Sequence, residues 1–70
     1  MSIKPSQVIV FTRAYQFAHG RMPSGTGNWA FHIGGATEPV FYPFSLYSIA
    51  KKLAQADAVE QGKSYVQVAP

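Results

Sequence analysis

Residues 20–31 read GRMPSGTGNWAF, and glycine spacing of this kind invites a search for phosphate-binding chemistry. A phosphate loop needs glycine, four residues, glycine, lysine, then serine or threonine. It must join a strand to a helix, so that backbone N–H groups meet the anion. Gly20 and Gly25 have the four-residue gap, but Thr26 and Gly27 stand where the lysine and the hydroxyl residue belong. The dinucleotide fingerprint fails too. Gly25 and Gly27 open it, yet Ala30 would have to lie on a helix, and its neighbourhood reads as a strand. The stretch is expected to be a hairpin connection whose tip offers Arg21 and glycine N–H groups to a phosphate or carboxylate.

The remaining chemistry-bearing residues are few. His19 and His32 are the only histidines, and Glu38, Asp57 and Glu60 the only acids. A zinc site needs three or four ligands, and no paired spacing supplies them, so no metal or cofactor is expected. None of the six serines sits in a nucleophile elbow. Glu38 and Asp57 are too isolated to read as a carboxylate pair for glycoside hydrolysis. Nucleophile, base and oxyanion donors are not assembled, and the chain is read as a non-enzyme. Asp57 falls on an apolar helical stripe, where it should satisfy Arg13 or a tyrosine hydroxyl.

These residues need elements to position them. Residues 7–17, QVIVFTRAYQF, are dense in β-branched and aromatic side chains and predict a strand, with Ile9, Phe11, Arg13, Tyr15 and Phe17 inward. Residues 28–34, NWAFHIG, alternate, with Trp29, Phe31 and Ile33 on one face and Asn28, Ala30 and His32 on the other. Residues 39–42, PVFY, predict a third strand ended by Pro43. Ser45 is the expected N-cap of a helix over 46–61, whose stripe is Leu46, Ile49, Ala50, Leu53, Ala56 and Asp57, with Gly62 as its stop. Residues 64–69 predict a last strand with Val66 and Val68 inward. The expected fold is α+β: a small antiparallel sheet in the order β-β-β-α-β with one helix across one face. Its core would be Trp29, Phe31, Ile33, Leu46, Ile49, Leu53, Val66 and Val68.

Seventy residues form one domain, 1–70, with 1–6 as a flexible N-terminal arm. No signal core or membrane-length apolar run is visible, and the absence of cysteine suits a reducing cytoplasm. Six basic against three acidic residues give a net charge of +3 from scattered positions, which permits an anionic partner without demanding one. The charged fraction is 13%, about half that of an average soluble domain, and aromatics reach 14%. So much apolar surface in a small domain points to an interface.

The motif GRMPSGTGNWAFHI, followed by VFYPFSLYSIAKKLA, resembles a set of small uncharacterised proteins of phages and other mobile elements. The matching positions are Arg21, Pro23, Gly25, Gly27, Trp29, Ala30, Phe31, Tyr47, Ala50 and Lys51, and the likeness covers most of 13–68. It implies a mobile-element origin and no assigned activity. GNWAFHI is also similar to the strand before the helix in plant AP2 domains and phage integrase arms, which implies topology only. The expected function is non-enzymatic: steric protein–protein binding to a host macromolecular machine, an anti-CRISPR or other anti-defence inhibitor being one concrete form. Tyr15, Tyr42 and Tyr47 would be the anchors and Arg21 the charged contact. A homodimer through a sheet edge or apolar face is compatible with this reading. The alternative is a DNA- or RNA-binding sheet module using Arg21, Gln16, Asn28, His32, Lys51, Lys52 and Lys63.

Overall fold

The computed structural model describes residues 4–70. The protein is α+β, with a four-stranded mixed sheet and two helices. A 3-10 turn, Pro5–Gln7, leads into β1 (Ile9–Phe11) and α1 (Arg13–His19). Then come β2 (Thr26–Ile33), β3 (Val40–Leu46), α2 (Tyr47–Glu60) and β4 (Tyr65–Val68). Of the expected N-terminal arm, residues 1–3 lie outside the described residues. The strands lie in the order β1-β4-β2-β3. β4 and β3 both run antiparallel to β2, whereas β1 runs parallel to β4, so the sheet is mixed rather than purely antiparallel. β3 and β4 are therefore mutually parallel with β2 between them, and such strands need a crossover across one face, which α2 supplies.

The predicted strand over 7–17 is corrected to a three-residue strand and a helix. β1 pairs with β4 as far as Phe11 opposite Gln67. Beyond that point the Ala69 N–H is taken by the Ala30 carbonyl, and Pro70 has no N–H to give. With no ladder to join, residues 13–19 satisfy their own backbone groups as a helix. Gly20, at φ +70°, ends it, and its N–H donates to the Gln16 carbonyl at 2.7 Å. The Gly20–Gly25 segment accordingly joins a helix to a strand. It is not a hairpin tip; the hairpin is β2–β3, turned through residues 34–39 with Gly34 at φ +62°.

Pro43 does not end β3. β3 lies at the sheet edge, where a missing N–H is tolerated. Pro43 and Phe44 together face the single residue Asn28, a β-bulge at which Phe44 takes φ +43° and donates its N–H to Asn28 Oδ1 at 2.8 Å. Ser45 is not the N-cap. That position is Leu46, and the first α2 N–H, from Tyr47, donates to the Gly25 carbonyl at 2.8 Å. Ser45 instead lends its carbonyl to the Trp29 indole N–H at 3.1 Å, while its buried Oγ has no protein partner.

The core holds Val8, Tyr15, Trp29, Phe31, Ile33, Ala50, Ala54, Ala58, Val66 and Val68. The five expected β2 and β4 positions are inside, but Leu46, Ile49 and Leu53 are each 48% exposed. α2 turns its alanines at i, i+4 and i+8 to the sheet, because Phe31, Ile33 and Val68 already fill the space between the layers and a small-residue face fits against them. Gln55 Nε2 donates to the Val8 carbonyl at 2.9 Å, tying α2 to the chain before β1. Gly62, at φ +73°, stops α2 as expected.

Candidate binding surface

α2 covers one face of the sheet, and the alternation of each strand determines what the other face shows. In β2 the buried Trp29, Phe31 and Ile33 face α2, so Asn28, Ala30 and His32 face away. Through the register, His32 lies beside Gln67 of β4, Ala30 beside Phe41 of β3, and Ile9 and Phe11 of β1 beside Tyr65 and Gln67. Phe11 is 47% and Phe41 69% exposed on this open face. The Phe11 and Tyr65 rings meet edge to face, with centroids 5.6 Å apart.

α1 stands at one end of this face and, with the Gly20–Gly25 segment, closes a cleft of about 410 Å³. Tyr15, His19, Arg21, Asn28, Phe41 and Pro70 are among its lining residues. Its wall is rigid. The Tyr15 and His19 rings stack with centroids 4.1 Å apart, and Tyr15 leans on Trp29 at 5.4 Å. A shallower cleft of about 460 Å³ adjoins it beneath Phe17, with Arg13, Ala14, Ala18, Gln67 and Pro70. Phe17 is 94% exposed. No acidic side chain lines either cleft.

The predicted anchors divide sharply. Arg21 is exposed on the cleft wall, in a helix-to-strand connection rather than at a hairpin tip. The tyrosines are corrected. Tyr15 is buried in the core, and Tyr47 is half-buried against Trp29, at 5.0 Å between centroids, and Phe31. Tyr42 is half-buried with its hydroxyl donating to Asp57 Oδ2, the tyrosine partner expected for that acid. Burial, then the Asp57 hydrogen bond and charge, hold the Tyr42 phenol well above its ordinary value, and burial raises that of Tyr47. The exposed aromatics are phenylalanines instead: Phe11, Phe17, Phe41 and Phe44. Phe41 was within reach of sequence reading, since an inward Tyr42 forces its neighbour outward. Phe17 was not, because its helix was read as a strand.

The residues named for nucleic acid do not share one face. Arg21, Asn28 and His32 belong to the open side, and His32 Nδ1–H donates to the Ala36 carbonyl at 3.1 Å, pinning the β2–β3 turn. Gln16, on α1, donates its amide to Thr12 Oγ1 at 2.7 Å. Lys51 and Lys52 lie on α2, behind the sheet, and Lys63 follows α2 with its alkyl stem close against Gly34, at the far end of β2 from the cleft. Among the described residues no three metal-binding side chains gather, and no helix is long and apolar enough to cross a membrane.

The GRMPSGTGNWAF stretch and the start of α2 meet at one joint. Gly25 caps α2 through its carbonyl, and Trp29 and Phe31 pack on Tyr47. These positions hold the loop, β2 and the start of α2 together, and so carry architecture rather than chemistry. No family model matches the chain, and neither a curated protein nor a solved structure gives a significant match.

Proposed function

We propose that this chain is a non-enzymatic binding protein that acts sterically, covering a surface of a protein partner with its open sheet face and α1. The observation that carries the reading is the placement of Phe11, Phe17 and Phe41, all exposed on or beside a face that no other element covers among the described residues. Burying one phenylalanine contributes roughly 1.5–3 kcal/mol, so three such rings supply a hot-spot cluster. Arg21 on the cleft wall adds a fork of donors for a partner carboxylate. The mobile-element likeness supports a host machine as the partner, with anti-defence inhibition, including the anti-CRISPR form, as the biological setting.

A second reading is single-stranded nucleic acid on the same face. Arginines in clefts that no acidic side chain lines, beside exposed aromatic rings, suit base stacking and backbone contact. The two readings separate by capture from native host lysate with tagged chain, split into nuclease-treated and untreated halves. A discrete protein that survives nuclease and moderate salt supports the first. Recovery of nucleic acid alone, lost with nuclease and steeply weakened by salt, replaces it with the second.

A further inference from the structure

We propose, resting on the protein-partner reading above, that the cleft between β2 and α1 takes a short extended segment of the partner. The segment is added beside β2 in the place that β4 leaves, with one of its acidic side chains against Arg21. One observation of backbone and one of charge support this independently.

The backbone observation is a ladder that stops short. β4 pairs with β2 from Ile33 to Phe31, and a last bond runs from the Ala69 N–H to the Ala30 carbonyl at 2.9 Å. Peptide groups alternate sides along a strand, so Asn28 and Thr26 turn theirs the same way as Ala30. The extra residue of the bulge belongs to β3, so β2 keeps this alternation past Asn28. No strand stands beside them there. The neighbour on that side is α1, and among the described residues no bond from it reaches the peptide groups of Asn28 or Thr26. Such groups need a partner or water. The cleft of about 410 Å³ opens along this gap, lined by Thr26 and Asn28 from β2 and by Tyr15, His19 and Arg21 from α1 and the residues after it.

Neither outer edge of the sheet offers as much. At β3, Phe41 lies opposite Ala30 and turns its own groups to the free edge, but Pro39 and Pro43, two residues to either side, have no N–H. β1 is three residues long, and the Ile9 N–H already donates to the Ser64 carbonyl, so only Val10 turns its groups outward.

The charge observation is that every polar side chain in the cleft can donate. Arg21 is exposed there, Ser24 and Thr26 carry hydroxyls, and His19 is stacked on Tyr15 at 4.1 Å. Asn28 Oδ1 already accepts the Phe44 N–H at 2.8 Å, which leaves its NH2 as the end free to bond. No acidic side chain lines the cleft. A planar arginine fork meets a carboxylate through two parallel bonds. A phosphate would meet Arg21 as well, but it brings no N–H to the Asn28 carbonyl, whereas a peptide brings both groups.

The alternation of an added strand dictates its side chains. The residue level with Asn28 bonds to its peptide groups and points its own side chain to the open face, toward Arg21. The two flanking residues point the other way, onto Tyr15 and Trp29, which are 8% and 6% exposed and already fill that side. The segment is therefore small–acidic–small, with glycine, alanine or serine on either side of aspartate or glutamate.

The test is selection of a displayed random-peptide library on the immobilised full chain, then titration of the recovered peptide against isotope-labelled chain. The expected result is enrichment of small–acidic–small segments that shift the Thr26 and Asn28 amides. Arg21→Ala, at an exposed position, keeps the parent's circular dichroism and weakens binding at least about tenfold. Methylating the acidic residue's own backbone nitrogen abolishes binding, because that N–H faces Asn28, whereas methylating the next nitrogen leaves most of it. Peptides recovered without an acid, binding indifferent to Arg21→Ala, equal sensitivity at both nitrogens, or no enrichment at all overturns the proposal. Capture from lysate separates the two readings. A nuclease-resistant protein held equally by the parent and Arg21→Ala leaves the protein-partner reading standing and overturns this one, and nucleic acid alone overturns both.

Discussion

The two faces of the sheet solve opposite problems. Toward α2, β2 and β4 present Trp29, Phe31, Ile33, Val66 and Val68, and the helix answers with Ala50, Ala54 and Ala58. Large residues on one layer meet small ones on the other, which is how a core reaches close packing in so short a chain. Away from α2, Phe11 and Phe41 are as apolar as any core residue but stand on a face that no helix covers among the described residues. The same residue type is thus buried on one side and half or more exposed on the other. What a residue contributes is decided by whether its strand partner and covering element exist, not by its hydrophobicity.

Substitutions should break this contrast in a graded way. Phe31→Ala, on the covered face, removes a fully buried ring and should cost roughly 3–5 kcal/mol in urea denaturation, enough to unfold a domain this small. Ala54→Leu, at the zero-exposure contact of α2, should cost about 1–3 kcal/mol by overpacking, although leucine is the better core residue on any hydrophobicity scale. An unchanged midpoint for Ala54→Leu would mean that the alanine face is not what seats the helix.

Two smaller effects sharpen the account of how β3 and the loop are held. Tyr42→Phe strips Asp57 of its hydroxyl donor and should cost about 1 kcal/mol. The pH dependence follows from the raised tyrosine values. Folding keeps the Tyr42 and Tyr47 phenols neutral above the ordinary value of 10.0, so their contribution is complete below pH 10. It is lost as pH rises further, because the unfolded tyrosines ionise first. Thermal melts should therefore fall off above pH 10, less steeply in Tyr42→Phe. Gly25→Ala should cost about 1 kcal/mol, since φ +78° is unfavourable for alanine while an added Cβ meets nothing within 4 Å.

Sequence reading reached β2, β4 and the extent of α2 because their signals are local. Strict alternation in 28–34 identifies Trp29, Phe31 and Ile33, and Gly62 terminates the helix whatever it packs against. It missed α1 because β-branched and aromatic content favours a strand, and nothing in residues 7–17 reveals that their pairing with β4 ends at Gln67. It chose the wrong face of α2 because Leu46, Ile49 and Leu53 are larger than Ala50, Ala54 and Ala58, and only the filled sheet face makes small residues the better fit. At the candidate surface, Arg21, Asn28 and His32 were legible from their loop and strand positions. The expected anchors Tyr15, Tyr42 and Tyr47 are held inside, since Tyr42 has Asp57 for its hydroxyl and Tyr15 packs between His19 and Trp29, whereas Phe11 and Phe17, expected inward, are exposed and Phe31 stays in the core.

The central claim is that the open face serves a partner rather than the fold, and the double variant Phe11→Ser/Phe41→Ser tests it most directly. Its unfolding free energy in urea and its capture of a nuclease-resistant protein from host lysate are measured side by side with the parent chain. The account predicts a loss of no more than about 1–2 kcal/mol, the share of the Phe11–Tyr65 ring contact and of strand propensity, and capture lost. Capture retained at parent strength, or a loss of several kcal/mol in stability, would contradict it.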